Sequence, residues 1–413
     1  MNRQVVQRGP SPSPIAVYLS DAIRTGPFVF ASGLLVPTDP QDSPYHNQVR
    51  AQTELSLKGL EETLAAGGSS LQQAVYLRTW HTGYRDFPAY LEARRPFMTV
   101  PPAPGSAIRS GLVRRTAEIE IEVTGLVPGQ GAVRRVVHSD RVPPPLVPGA
   151  HAVEAGPFIF TAGITAADGG GPLAPAATVP PGLPHFASAV KRQTGCVLDR
   201  LGHILEAAGS GLGDVVRAQV LLRSHSDFFA FDEAWRTYFP ADPPARTVLE
   251  SDILHPQCLV QVEVIALSPG SGLHKEAVHA PRAPVSVTAE SQAVRAGEYV
   301  FVSGILPTDF ETGVAGAAQV APEASLYEDP IVPQVRHVLT SLKEILEAAG
   351  SSLENVVRVG AYHTDLARDL LGAMAVRREF FPGAPPASTT VEVGSLAVPG
   401  CLFMYDALAV VPS

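Results

Sequence analysis

Cysteine is scarce: Cys196, Cys258 and Cys401 are the only three in 413 residues. So few, so far apart, they suit neither a disulfide framework nor a zinc site, and a reducing cytoplasm is the expected setting. Charge is also thin, at 17% of residues, and the formal net charge of −9 gives no basic footprint for nucleic acid. No run of about 18 apolar residues occurs, and Met1-Asn2-Arg3-Gln4 leads into a Pro/Ser stretch without an apolar core, so neither a membrane span nor secretion is expected. Phosphate-cradling GxxxxGK[ST], a GxGxxG after a strand, HExxH, CxxC and the GxSxG elbow are all missing. The expectation is a protein with no cofactor and no metal, whose partner is a small molecule.

What the chain does contain is a repeat. Leu205-Glu206-Ala207-Ala208-Gly209-Ser210 is matched by Leu64-Ala65-Ala66-Gly67-Gly68-Ser69 and by Leu346-Glu347-Ala348-Ala349-Gly350-Ser351, and Gly68, Gly209 and Gly350 lie 141 residues apart. A period that long divides the chain into three domain-sized units, 1–129, 130–272 and 273–413, each able to bury a core of its own.

Each unit reads the same way. Residues 1–14 are a loose lead-in to the first unit. An aromatic strand such as Phe158-Ile159-Phe160-Thr161-Ala162 follows, ending at Gly33, Gly163 or Gly304. Those glycines either relieve a bulge or let backbone amides approach a ligand. Then comes an amphipathic helix, with Val197, Leu198, Leu201, Ile204 and Leu205 on one stripe, closed by a glycine suited to the left-handed C′ position. Gln52, Gln193 and Gln334 recur on it in register. A further strand, a second helix, a Pro-Pro-Ala break and a closing strand that alternates polar and apolar, such as Ile119-Glu120-Ile121-Glu122-Val123, complete an α+β unit with helices on one sheet face.

The aromatic strand ending in Ser-Gly, the helix running into Glu-Ala-Ala-Gly-Ser, the Asp-Val-Val strand, the Pro-Ala-Arg turn at Pro244-Ala245-Arg246 and the alternating closing strand together resemble the RidA/YjgF family of reactive-intermediate deaminases. The resemblance covers nearly the whole chain, three times over. It implies a covalent pseudo-trimer around a barrel-like core, ligand clefts between neighbouring units and a monomeric chain. The implied chemistry is hydrolysis of imines and enamines of amino acids, with an arginine gripping the substrate carboxylate and a glutamate 15 residues later orienting or activating water. The family places both groups on one subunit.

Carried over, that pair is incomplete in every unit. Unit two has Arg246 but Gln261, unit one has Glu120 but no turn arginine, and unit three has Ala387-Ser388 at the turn and no carboxylate at the matching place. Arg246, Glu120 and Gln261 are the catalytic candidates. Substrate-binding candidates are Tyr18, which matches the family's ligand-facing tyrosine; Arg109, a stand-in for the missing arginine if it faces the cleft; and the in-register His81 and His363. Either one cleft works by borrowing groups from a neighbouring unit, or one has been repurposed, as in the chorismate-cleaving relatives. A ligand-binding or scaffold protein without turnover is the non-enzymatic alternative. The family's endoribonuclease label has no basic groove here to support it.

Overall fold

The computed structural model describes residues 1–8, 18–36, 48–98, 101–129, 132–324 and 328–412. Three mixed sheets, each with two helices, follow one another along the chain. In unit two the strand order is Ala245–Glu250, Val215–Leu222, Val260–Leu267, Phe158–Thr161, Ala152–Ala155, Arg135–Val137, and the other two units repeat it. The first two strands of that order are parallel, because the helix Phe228–Tyr238 carries the chain back between them. The remaining main-path pairs are antiparallel.

The long helices, Gln48–Ala66, Ala189–Ala207 and Ile331–Ala348, bury the stripe that their spacing predicts; Val197, Leu198, Leu201, Ile204 and Leu205 are all at 0% exposure. Each stops at a glycine with φ near +80° (Gly68 84°, Gly209 82°, Gly350 77°), a conformation that costs a side chain energy and glycine nothing. The serine after that glycine closes the turn onto the helix, Ser210 N donating to Leu205 O at 2.9 Å.

The recurrent glutamine has a defined task. Gln193 Nε2 donates to Gln257 O (3.1 Å) and its Oε1 accepts from Leu259 N (2.7 Å), clipping the long helix to the loop before the closing strand. Gln52 does the same with Thr116 and Glu118, and Gln334 with Gly400 and Leu402.

Part of the expected loose lead-in is a strand: Gln4–Val6 pairs antiparallel with Ala22–Thr25. Three residues are too few to show a period, and the pairing is made by backbone groups that any sequence carries. Residues 9–14 of the lead-in lie outside the described residues.

The sheets touch edge to edge. Gly163 N donates to Gly105 O (3.2 Å) and Gly33 N to Ser388 O (3.2 Å). Ser388 N donates to Ser32 Oγ and Arg246 N to Ser303 Oγ, both at 2.8 Å. Each unit therefore meets the other two. The glycine amides at positions 33 and 163 are consumed by these contacts, so the reading of them as ligand-facing does not hold. Cationic side chains add cross-ties, with Arg3 Nε on Val356 O and Arg134 Nε on Ala74 O, both at 2.8 Å. Among the three sheets a buried ion network joins Arg78 to Glu122 (2.6 Å) and Glu263, Arg358 to Glu122 (3.0 Å) and Asp406 (3.2 Å), and Arg217 to Asp406 (2.9 Å). Such pairs return little net stability after desolvation, and these link all three units.

Candidate active site at the unit junctions

Strand register identifies equivalent positions. Arg246 pairs with Ala218, as Gly105 does with Leu77 and Ser388 with Val359, so these three share one edge-strand position. Glu120, Gln261 and Met404 share one closing-strand position, opposite Trp80, Leu221 and Tyr362. The family pattern led to the expectation of both groups on one unit. In this chain the edge strand of one unit instead abuts the closing-strand position of the next, through the residue after the edge position. A Cβ on Gly33 would strike Glu120 Oε1 and lie 3.0 Å from Thr389 Oγ1 of unit three. One on Gly163 would strike Gln261 and Ser106 of unit one, and one on Gly304 would meet Met404 Sδ at 2.8 Å and Thr247 Cγ2 of unit two at 3.3 Å. The reason is topological: the edge strand is the last that its own unit supplies to the sheet and abuts the neighbour, and in unit three it also pairs with Gly111–Leu112 of unit one. Arg246, Glu120 and Gln261 thus stand at three different junctions, and Arg246 shares its cavity with Met404.

The Arg246 junction is a cavity of about 650 Å³ between units two and three. Arg246 is fully buried. Its Nε donates to Glu290 (3.1 Å) and its Nη2 to Asp232 (2.9 Å), and the rings of Phe228, Phe231 and Trp235 lie within 5.2 to 5.7 Å of Cζ. The helix Phe228–Tyr238 presents all of these except Glu290, because residues 228, 231, 232 and 235 fall on one face. Two protein carboxylates already hold the fork, so the expected bidentate clamp is not free. Nη1 alone has no partner among the described residues.

A second group on this wall was missed in the sequence. His225 lines the same cavity, and its Nε2 is buried without a partner among the described residues. Nδ1 lies 2.8 Å from Ser395 Oγ and 3.7 Å from Glu250. Burial lowers the imidazole pKa, with the Glu250 charge opposing, so the ring is neutral at pH 7. Phe228 spans the gap, its centroid 6.4 Å from that of His225 and 5.7 Å from Arg246 Cζ. Laying the copies at the 141-residue period would have found it, since Tyr84, His225 and Leu366 disagree there.

At the junction of units three and one, Glu120 is buried with Oε2 unpartnered among the described residues. Burial, reinforced by the charge of Glu122, pushes its carboxyl up to about 8. Here the buried guanidinium comes from a helix: Arg377 Nη2 donates to Ser388 Oγ at 3.1 Å. Arg377 holds the helix place of Trp235, each accepting at its carbonyl from the phenylalanine that ends the helix. Tyr18, half-buried, stands two residues before Ser20, which bonds Pro385 and Pro386 of unit three, so it belongs to the Glu120 junction. Gln261 and Ser106 fill the corresponding space between units one and two.

The other candidates lie elsewhere. Arg109 does not face the Arg246 cleft; it pairs with Asp252 beside a separate cavity of about 470 Å³. His81 is packed among Tyr84, Phe87 and Tyr90, and His363 against Phe403, and burial presses both imidazoles down to about 3. They behave as neutral core residues. Among the described residues no cluster of three His, Cys, Asp or Glu could hold a metal, and no helix is long and apolar enough to cross a membrane.

Comparison with known proteins supplies the context for this geometry. A RutC family protein of Pyrococcus abyssi is 35% identical over 122 residues, 30% of this chain and 87% of its own length. The 3-aminoacrylate deaminase RutC of Acinetobacter baylyi is 28% identical over 133 residues, 32% of this chain and 97% of its own. A solved chorismatase, 16% identical, covers 60% of this chain and 77% of its own with a TM-score of 0.45, too distant to inform function. The Endoribonuclease L-PSP family matches residues 9–127, 141–268 and 280–411, once per unit. The chain belongs to that family, the RidA/YjgF family, and carries three copies of its domain.

Proposed function

We propose that the chain hydrolyses the imine or enamine of a small carboxylate-bearing substrate at the cleft between units two and three. One observation carries this: Arg246 and His225 line one cavity of about 650 Å³, and each holds a buried polar atom, Nη1 and Nε2, without a partner among the described residues. Each unmade buried hydrogen bond costs about 1–3 kcal/mol, which a ligand offering a carboxylate at one end and a reacting centre at the other recovers.

In this reading the substrate carboxylate accepts from Nη1. Glu250, 3.7 Å from Nδ1, favours the proton on that nitrogen and leaves the Nε2 lone pair as base. Water attacks the imine carbon as its proton passes to Nε2, and the C=N π pair moves to nitrogen. The imidazolium returns that proton to nitrogen, which gives the carbinolamine. Its hydroxyl proton then passes by way of Nε2 to the amine, the O–H pair becomes the C=O π bond as the C–N bond breaks, and ammonia leaves with the carbonyl product formed. An enamine is protonated at carbon first and joins the same path. The fold is read as a monomeric pseudo-trimer closing round a barrel-like core, supported by the hydrogen bonds from each sheet edge to its neighbours. The activity named for the Acinetobacter relative is of this reaction class.

The test is ammonia release from an imine generated in situ by an amino acid oxidase. Acceleration over buffer is expected, and His225→Ala should lower it by about 10²–10⁴-fold. No acceleration would sink the reading. Loss in Glu120→Gln with His225→Ala unaffected would move the chemistry to the other junction.

A further inference from the structure

We infer that the Arg246 cleft takes a carboxylate carrying a bulky apolar arm, an aryl or branched-alkyl 2-imino or 2-oxo acid, and that Met404 and Phe229 set this preference. The inference rests on the reading of this cleft as the working site and adds the class of substrate.

The first ground is the exchange at the closing-strand position. Glu120 and Gln261 present polar ends at their junctions, whereas Met404 brings a flexible thioether to the cavity that Arg246 lines. A methionine makes no hydrogen bond of consequence to a water or an amine and adapts its shape to an apolar surface. The second ground is size. A cavity of about 650 Å³ falls within the range that holds ligands far larger than a three-carbon acid. The third is the rest of the lining: Phe228, Val248, Leu306 and Val398 share the cavity with Met404. There Phe229 is 76% and Val287 69% exposed, although both line the cavity. Two large apolar side chains held open to water at one cavity mouth are costly unless something covers them.

Phe310 strengthens the case from the opposite side. Its φ of +59° is a left-handed conformation that a bulky residue adopts only at a cost, and Thr308 Oγ1 holds it there by accepting from Phe310 N at 3.0 Å. The result is an aromatic ring on the cavity wall. Ser226, Glu233, Arg236, Ser286 and Thr288 also line the cavity, so the apolar arm is assigned to the Phe228, Phe229, Val287, Phe310 and Met404 side of it, where it replaces water without loss of a hydrogen bond.

Calorimetric titration of the full chain with pyruvate, phenylpyruvate and 4-phenylbutan-2-one tests this. Phenylpyruvate should bind at least about 100-fold more tightly than pyruvate, the ratio expected from burying several carbons of apolar surface, and the ketone without a carboxylate should bind weakly. Phe229→Ser, at an exposed position that the fold does not need, should weaken phenylpyruvate about 10-fold and leave pyruvate unchanged. Met404→Gln, the residue at its register partner in unit two, should narrow the preference further. If pyruvate and phenylpyruvate bind alike and the ketone does not bind, the carboxylate cleft stands and the apolar-arm inference is overturned. If the ketone binds as well as phenylpyruvate, or no acid binds, the carboxylate reading of the cleft falls and the inference falls with it.

Discussion

Glutamine at position 120 would isolate one buried proton. The Glu120 side chain is almost wholly enclosed, its Oε2 has no partner among the described residues, and burial with the nearby Glu122 charge raises its carboxyl from 4.5 to about 8. Below pH 4.5 the folded and unfolded chains both hold the proton, and the stability due to this group is fully present. Between 4.5 and 8 the folded chain keeps a proton that the unfolded chain has released, so stability falls as pH rises. At about 1.4 kcal/mol per pH unit, the 3.5 units between 4.5 and 8 give a ceiling of about 5 kcal/mol. Glutamine has the same shape and does not titrate, so Glu120→Gln should remove that slope. Urea unfolding of both proteins at pH 5, 6.5, 8 and 9 reads it directly. The stability of the variant relative to the parent should rise by several kcal/mol across the series, most of it before pH 8. A difference that stays constant across the series would refute a neutral, buried Glu120.

The opposite slope belongs to the two core histidines. His81 and His363 fall from 6.5 to about 3 by burial, so their stability is present above pH 6.5 and lost as pH falls; replacing both by leucine, the residue at their register partner Leu222, should flatten the acid side of a thermal-melt series. Gln193→Ala should cost about 1–3 kcal/mol by releasing Gln257 O and Leu259 N, read as a lower melting temperature, and an unchanged one would deny the clip a structural role.

The units were legible because their signals are local. A helix stripe, a terminal glycine and an alternating strand act over a few residues, and the 141-residue spacing of Gly68, Gly209 and Gly350 repeats them in order. The clefts were less legible because each joins residues far apart in sequence. Arg246 and Met404 come to line one cavity only once two sheets abut, and the family pattern of arginine and glutamate on one subunit pointed to Gln261 instead. Arg109 read as a cleft candidate because strand position does not say which neighbour a long side chain finds, and it found Asp252. His225 escaped because a histidine before a helix has no pattern of its own. His81 and His363 drew notice by recurring, and recurrence in a repeat marks shared packing as readily as shared chemistry.

The pairing of edge and closing strands across successive units has an evolutionary consequence. In a ring of identical chains a single substitution is made at every junction at once, and a change useful in one cleft must be tolerable in all. Here residues 120, 261 and 404 are separate letters of one message, and each alters a single junction. One junction can keep an acid, another can be packed shut, and the third can be opened to a new guest while its neighbours hold the frame.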